Sequence, residues 1–180
     1  MYSYKDGYIN PVRVLDFYND MKTDSEIIEE CMKFASGFQP RTVIFDGKDW
    51  LIDRAILLPS NTTVIVDGVK IKQKDLMFDA IFRGDNFEID PKNPNGFPLK
   101  IHPISNIRIL GKNGAILEGP DVLPRMMHPT MGEEQVMVGD YWGWRNFQVT
   151  LSRCTNFELA GFTYKKPRSW ANSLDRCSYG

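Results

Sequence analysis

The sequence predicts an all-β chain built as a solenoid. Three observations carry that expectation: an internal repeat of 23 residues, a series of short strand-like runs, and a shared Asn and Gly signature at the connections. In the repeat, Leu151-Ser152-Arg153-Cys154-Thr155-Asn156 matches Leu174-Asp175-Arg176-Cys177-Ser178-Tyr179 at Leu, Arg and Cys, with a small hydroxyl residue after each Cys. A period in this range belongs to turns that cannot bury their own apolar face and must stack on a neighbour.

The elements follow in order. Thr23 with Glu26 three residues later forms a capping box, and Ile27, Ile28, Cys31, Met32, Phe34 and Ala35 recur at helical spacing, so a helix is expected over 23–36, stopped by Gly37. After it the period changes to two. Runs at 42–45, 50–52, 55–58, 63–66, 69–72, 107–110, 115–117, 147–151, 157–160 and 162–165 read as strands. Most are separated by too few residues for crossover helices, which suits a coil that lays short strands into separate parallel sheets.

Ser60-Asn61, Ser105-Asn106 and Thr155-Asn156 each precede a strand, and Gly68, Gly111 and Gly161 close them. Asn tolerates left-handed backbone and Gly removes the steric cost of a bend, so both fit corners. The Asn-to-Asn intervals of 45 and 50 are read as two 23-residue turns each, giving about six turns in all. Two stretches break the pattern and are expected to leave the coil as loops, near 90–100 and 118–146. The helix would close the N-terminal end of the coil. The sequence stops in a repeat just begun, so the coil is expected to be truncated at its C-terminal end and completed by further turns or by a second copy.

Composition narrows the partners. Twenty-two basic against twenty-three acidic residues give no general attraction to nucleic acid or an anionic membrane, and no stretch is long and apolar enough to span a bilayer. The start, Met1-Tyr2-Ser3-Tyr4-Lys5-Asp6-Gly7, lacks the build of a secretion signal. The chain as given therefore reads as cytoplasmic, and as extracellular or periplasmic if a leader precedes it. Three cysteines without a CxxC pair argue against a disulfide framework or zinc site. One turn apart, Cys154 and Cys177 would still lie about 4.8 Å from each other, within disulfide reach; two stacked free thiols is the reading taken.

Several of these segments resemble the right-handed parallel β-helix proteins of the pectin-lyase-like superfamily, and more narrowly the N-terminal part of glycoside hydrolase family 28, the polygalacturonases. Val14-Leu15-Asp16-Phe17 followed by Thr23-Asp24-Ser25-Glu26-Ile27-Ile28 looks like the family's opening, an Asp-Phe-Gly turn and a Thr-Asp-Asp-Thr helix start, with Tyr18 and Ser25 as departures. Thr42 to Phe45 with Trp50 to Ile52 looks like its next strand pair. Ser60-Asn61-Thr62-Thr63-Val64 resembles its first coil turn, and Phe162-Thr163-Tyr164 with Pro167-Arg168-Ser169-Trp170 a late one flanking the cleft.

The length fits one domain over 1–180, and the helix before the first turn divides it into a cap region at 11–40 and coil turns over 41–180. The resemblance implies inverting hydrolysis of pectic or related acidic polysaccharide by carboxylates about 6.5 to 9.5 Å apart. The family's Asn-Thr-Asp, Asp-Asp, Gly-His-Gly and Arg-Ile-Lys motifs do not occur here, so no catalytic residue is assigned. The alternatives are a non-catalytic carbohydrate-binding β-helix of tailspike or adhesin type, and a polysaccharide lyase using calcium or a basic residue.

For substrate binding the candidates are Trp142, Trp144 and Arg145, which with Tyr141 crowd aromatic faces and a cation into one loop, and the pair Arg168 and Trp170. Aromatic faces hold sugar rings, and guanidinium groups hold uronate carboxylates. The plainer alternative is that these rings cover the coil wall. No metal or cofactor is expected, since His102 and His128 each precede a proline with no ligand at useful spacing. Glu133, Glu134 and Asp140 offer loop carboxylates, more simply read as solvated. Arg153 and Arg176 would stack as like charges, and Asn61, Asn106 and Asn156 as an internal amide ladder.

Overall fold

The computed structural model describes residues 10–89, 100–123, 126–127, 134–135 and 147–180. The chain opens with β1 (Val12–Arg13), a 3₁₀ turn (Val14–Phe17) and α1 (Asp24–Ala35). The strands that follow are β2 (Arg41–Phe45), β3 (Trp50–Ile52), β4 (Ile56–Leu58), β5 (Thr62–Asp67), β6 (Lys70–Gln73), β7 (Phe82–Gly84), β8 (Ile104–Lys112) and β9 (Ile116–Glu118). After the short pair β10 (Met126–Met127) and β11 (Glu134–Gln135) come β12 (Val149–Ser152), β13 (Cys154–Ala160), β14 (Thr163–Lys165) and β15 (Asn172–Asp175).

The strands fall into three parallel sheets. Sheet A runs β1-β2-β5-β8-β13, sheet B runs β3-β6-β9-β14, and sheet C runs β4-β7-β12-β15. From β2 onward the chain visits A, B and C in that order four times, so each pass lays one strand in each sheet. Inward positions are apolar because alternate residues of a strand face opposite sides. Val43, Val64 and Ile109 form one buried row in sheet A, and Trp50, Ile71 and Leu117 another in sheet B.

One core joins the sheets. Phe45 of sheet A meets Trp50 of sheet B and Phe82 of sheet C edge-on, with ring centroids 6.1 and 6.2 Å apart. Edge-to-face pairs of this kind add about 0.5–1.5 kcal/mol each beyond the area they bury. The helix α1 joins the same core through Ile27, Ile28, Cys31 and Ala35. Its first turn is held by the capping box, with the Thr23 side chain accepting from the Glu26 amide and the Glu26 carboxylate accepting from the Thr23 amide.

The all-β, right-handed parallel β-helix expected from the repeat is corrected by this architecture. The chain is mostly strand in three parallel sheets, with the single expected helix before them among the described residues, and within the third pass it holds the antiparallel pair of β10 and β11. Among the described residues closure of these sheets into a helix is not shown. A period of two specifies strands and their inward faces; it carries no information on closure or handedness.

The count of about six turns is also replaced. Asn106 donates through Nδ2 to Asn61 Oδ1 at 2.7 Å, and Asn156 to Asn106 Oδ1 at 2.6 Å. Intervals of 45 and 50 residues are therefore single passes that carry long insertions. These asparagines have φ near +60°, the left-handed conformation expected of corners, and their amide ladder lies exposed rather than inside. Gly161 (φ +81°) is required by close approach, since a Cβ there would sit 2.1 Å from the Gly111 carbonyl oxygen.

Candidate functional site

The candidate site lies on the outer side of sheet B and at its exit toward sheet C. In β6 the inward Ile71 and Gln73 alternate with Lys70 and Lys72, which point outward. Register places Lys72 beside Glu118 of β9, and Glu118 beside Lys165 of β14. Glu118 thus becomes the centre of an ion cluster. Its carboxylate lies 3.7 Å from Lys70, 3.5 Å from Lys72 and 3.4 Å from Lys166. Asp121 extends the cluster, pairing with Lys72 at 2.5 Å and also with Lys166.

The electrostatics are consistent across the cluster. Burial works to raise the Glu118 carboxyl, but the Lys166 hydrogen bond and the charges of Lys70 and Lys72 outweigh it and leave it below the ordinary glutamate value. Hydrogen bonds from Lys166 and Lys72 hold Asp121 down at about 2. The same bonds raise both lysines. At neutral pH Glu118, Asp121, Lys72 and Lys166 are therefore ionised. The carboxylates hold no proton to give to a leaving oxygen, and the lysines are poor proton acceptors.

Arg168 and Trp170 secure the two ends of the segment between β9 and β12. The Arg168 guanidinium donates from Nε to the Pro120 carbonyl at 2.8 Å and from Nη2 to the Asp121 carbonyl at 2.9 Å. Trp170 packs on Phe147, with centroids 6.2 Å apart, yet remains 65% exposed. Between them Gln148 donates from Nε2 to the carbonyls of Leu117 and Lys165, tying β9 and β14 to the start of β12. Close packing leaves room only for glycine at 119, where a Cβ would sit 2.1 Å from the Lys166 carbonyl oxygen.

Of the residues singled out from sequence, Arg168 and Trp170 share this corner. Trp142, Trp144 and Arg145, with Tyr141, Glu133, Asp140 and His128, lie outside the described residues, and only the backbone of Glu134 is described, within β11. Arg153 and Arg176 do not stand as an unrelieved like-charge stack: Arg153 donates to the Ile101 carbonyl, and Arg176 pairs with Asp175 at 2.8 Å. Among the described residues no group of three or more metal-ligating side chains occurs, and no helix is long and apolar enough to cross a membrane.

Sequence reading missed the ion cluster altogether. Lys72 and Glu118 are 46 residues apart and meet only because their strands are neighbours. The available signal was the outward alternation of Lys70, Lys72 and Glu118 on their strands. A second feature also escaped notice: a cavity of about 260 Å³ between α1 and sheet C, lined by Ile28, Met32, Ile56 and Leu57 and edged by Glu29 with Arg54 and by Asp79 with Arg83. No family model, no curated protein and no solved structure matches the chain.

Proposed function

We propose that this corner binds an acidic polysaccharide of the pectic type, as the substrate-gripping part of an inverting glycoside hydrolase resembling the polygalacturonases. The observation that carries the reading is Trp170, a large ring 65% exposed on a surface with Lys70, Lys72, Lys165, Lys166 and Arg168. These cations outnumber the carboxylates of Asp49, Asp75, Glu118 and Asp121 around them. An exposed indole offers a flat apolar face to a sugar ring, while surplus positive charge favours uronate groups.

Bond cleavage is assigned to carboxylates outside this corner, because Glu118 and Asp121 are both depressed and neither resembles the raised acid of a glycosidase pair. The same observation favours non-catalytic carbohydrate binding as the second reading. Elimination by a polysaccharide lyase receives less support, since the raised lysines are poor bases.

Calorimetric titration with oligogalacturonate and with a neutral oligosaccharide of equal length tests the proposal. Binding should favour the acidic ligand and weaken with salt. Trp170→Ala should lower affinity about tenfold, the equivalent of about 1.4 kcal/mol. Equal affinity for both sugars, or an unchanged Trp170→Ala variant, overturns the reading. Reducing-end release measured on the same samples separates the two readings: turnover by the chain would exclude non-catalytic binding.

A further inference from the structure

Cys154 and Cys177 take no part in the corner just described. Leu151 pairs with Leu174 and Ser152 with Asp175 in register, and Thr155 bridges to Ser178 further on. The two cysteines are therefore direct neighbours on adjacent parallel segments. Neighbouring strands lie about 4.8 Å apart, inside the roughly 4.4–6.8 Å Cα range of disulfides.

Their orientation agrees. The preceding residues, Arg153 and Arg176, share left-handed φ values of 49° and 51°, so the chain enters both positions in the same way. Cys154 is buried in the core, and Cys177 packs against that core from a partly exposed position. The Ser178 amide donates to the Cys154 carbonyl at 3.0 Å, which fixes the backbones side by side. Both sulfurs are free thiols.

We propose that Cys154 and Cys177 form a thiol–disulfide modification site that takes a low-molecular-weight disulfide such as oxidised glutathione, and that the resulting cross-link fastens the segment after β15 onto β13. The more accessible Cys177 attacks first. Its thiolate displaces one glutathione thiolate and forms a mixed disulfide; the Cys154 thiolate then attacks the Cys177 sulfur and releases the second glutathione. Two protein thiols are oxidised, the glutathione disulfide is reduced, and the two thiol protons end on the two glutathione molecules.

Burial raises both thiols, Cys154 to about 11, so exchange should be slow at neutral pH and faster in mild alkali. Cys31 supplies an internal control. It is buried in α1, where burial pushes its thiol up to about 12.

The test incubates the whole chain with excess oxidised glutathione at about pH 8.5, near an ordinary thiol pKa, followed by alkylation and peptide mass mapping. Two of the three thiols should become protected, with a linked peptide joining Cys154 to Cys177 and no retained glutathione. The melting temperature should rise by about 5–10 °C, as expected for closing a loop of this length in a domain of this size, and dithiothreitol should reverse the rise. Glutathione left on Cys177, a cross-link between chains, three alkylatable thiols, or a linked form that melts no higher would each overturn the proposal. Cys177→Ser should leave Cys154 alkylatable and the melting temperature indifferent to oxidant, and a rise in that variant would also overturn it.

Discussion

The two ends of the three-sheet array are built from the same inward rows but are finished differently. At the first pass, α1 lies over the edge of sheet B and its side chains accept the edge amides: Asp24 Oδ2 from Leu51 at 2.7 Å, and Ser25 Oγ from Asp53 at 2.9 Å. Lys48 then reaches across to Asp24 and sits 4.4 Å above the Trp50 ring. At the fourth pass no described strand pairs with the outer edges of β14 and β15, and β13 is met there only by the segment around Ser178 and Tyr179. The rows record the difference. Val43, Val64 and Ile109 are fully buried, whereas Leu159 in the same row is half-buried; Trp50, Ile71 and Leu117 give way likewise to Tyr164. Burial of a strand residue here depends on having a layer on both sides, and at the first pass the helix supplies that layer.

The largest expected effect tests this with one residue type. Leu151 and Leu174 are partners in register, but Leu151 is fully buried and Leu174 is 46% exposed. Leu151→Ala should cost about 2–5 kcal/mol, as buried leucines do when a cavity is left. Leu174→Ala should cost less than about 1 kcal/mol, since half of its surface is already in water. Urea denaturation of both variants measures the gap. Equal losses would mean that the fourth pass is as well covered as the third.

A smaller effect probes the join between those passes. Gly161→Ala would place a Cβ 2.1 Å from the Gly111 carbonyl oxygen at a residue with φ +81°. Left-handed backbone costs an ordinary residue about 1–2 kcal/mol, and the clash adds to it. A loss of about 2–3 kcal/mol is expected in the same denaturation assay. Gly114→Ala is the comparison: φ there is +82°, but nothing lies within 4 Å of the added carbon, so only the backbone cost should appear.

Local signals were legible in the sequence wherever one element carried its own instruction. Thr23 and Glu26 marked the start of α1, the run at 63–66 marked β5, and the asparagines at 61, 106 and 156 marked left-handed corners. What failed was the distance between passes. Insertions after β7 and β9 stretch single passes to 45 and 50 residues, and a fixed period of 23 read each as two. The short strands of sheet C were the least visible. In β7, Arg83 interrupts an apolar run and is held by Asp79 at 3.1 Å and by the Phe87 carbonyl, partners that only the folded chain provides. The candidate site was partly legible for a related reason. Arg168 and Trp170 lie two residues apart in sequence, whereas Lys70, Lys72, Glu118, Asp121 and Lys166 are brought together by strand register across nearly a hundred residues.

The smallest expected effect concerns that cluster, which spans β6, β9 and the end of β14 in the fourth pass and so ties well-covered strands to the less covered ones. Glu118 and Asp121 are both held below their ordinary values. For a carboxyl depressed on folding, the stabilisation is fully present above its unfolded pKa and is lost as pH falls through the folded one. The window therefore opens near pH 4.5 and, for Asp121, extends down to about 2. The pairs are partly solvated, so the contribution should be modest and should shrink with salt. The double variant Lys72→Met with Lys166→Met should melt slightly below the unaltered chain at pH 6, and the two melting curves should converge as the pH approaches 2. Curves that stay parallel across that range would show that the lysines do not couple these carboxylates to folding, leaving Arg168 and Gln148 as the ties between the passes.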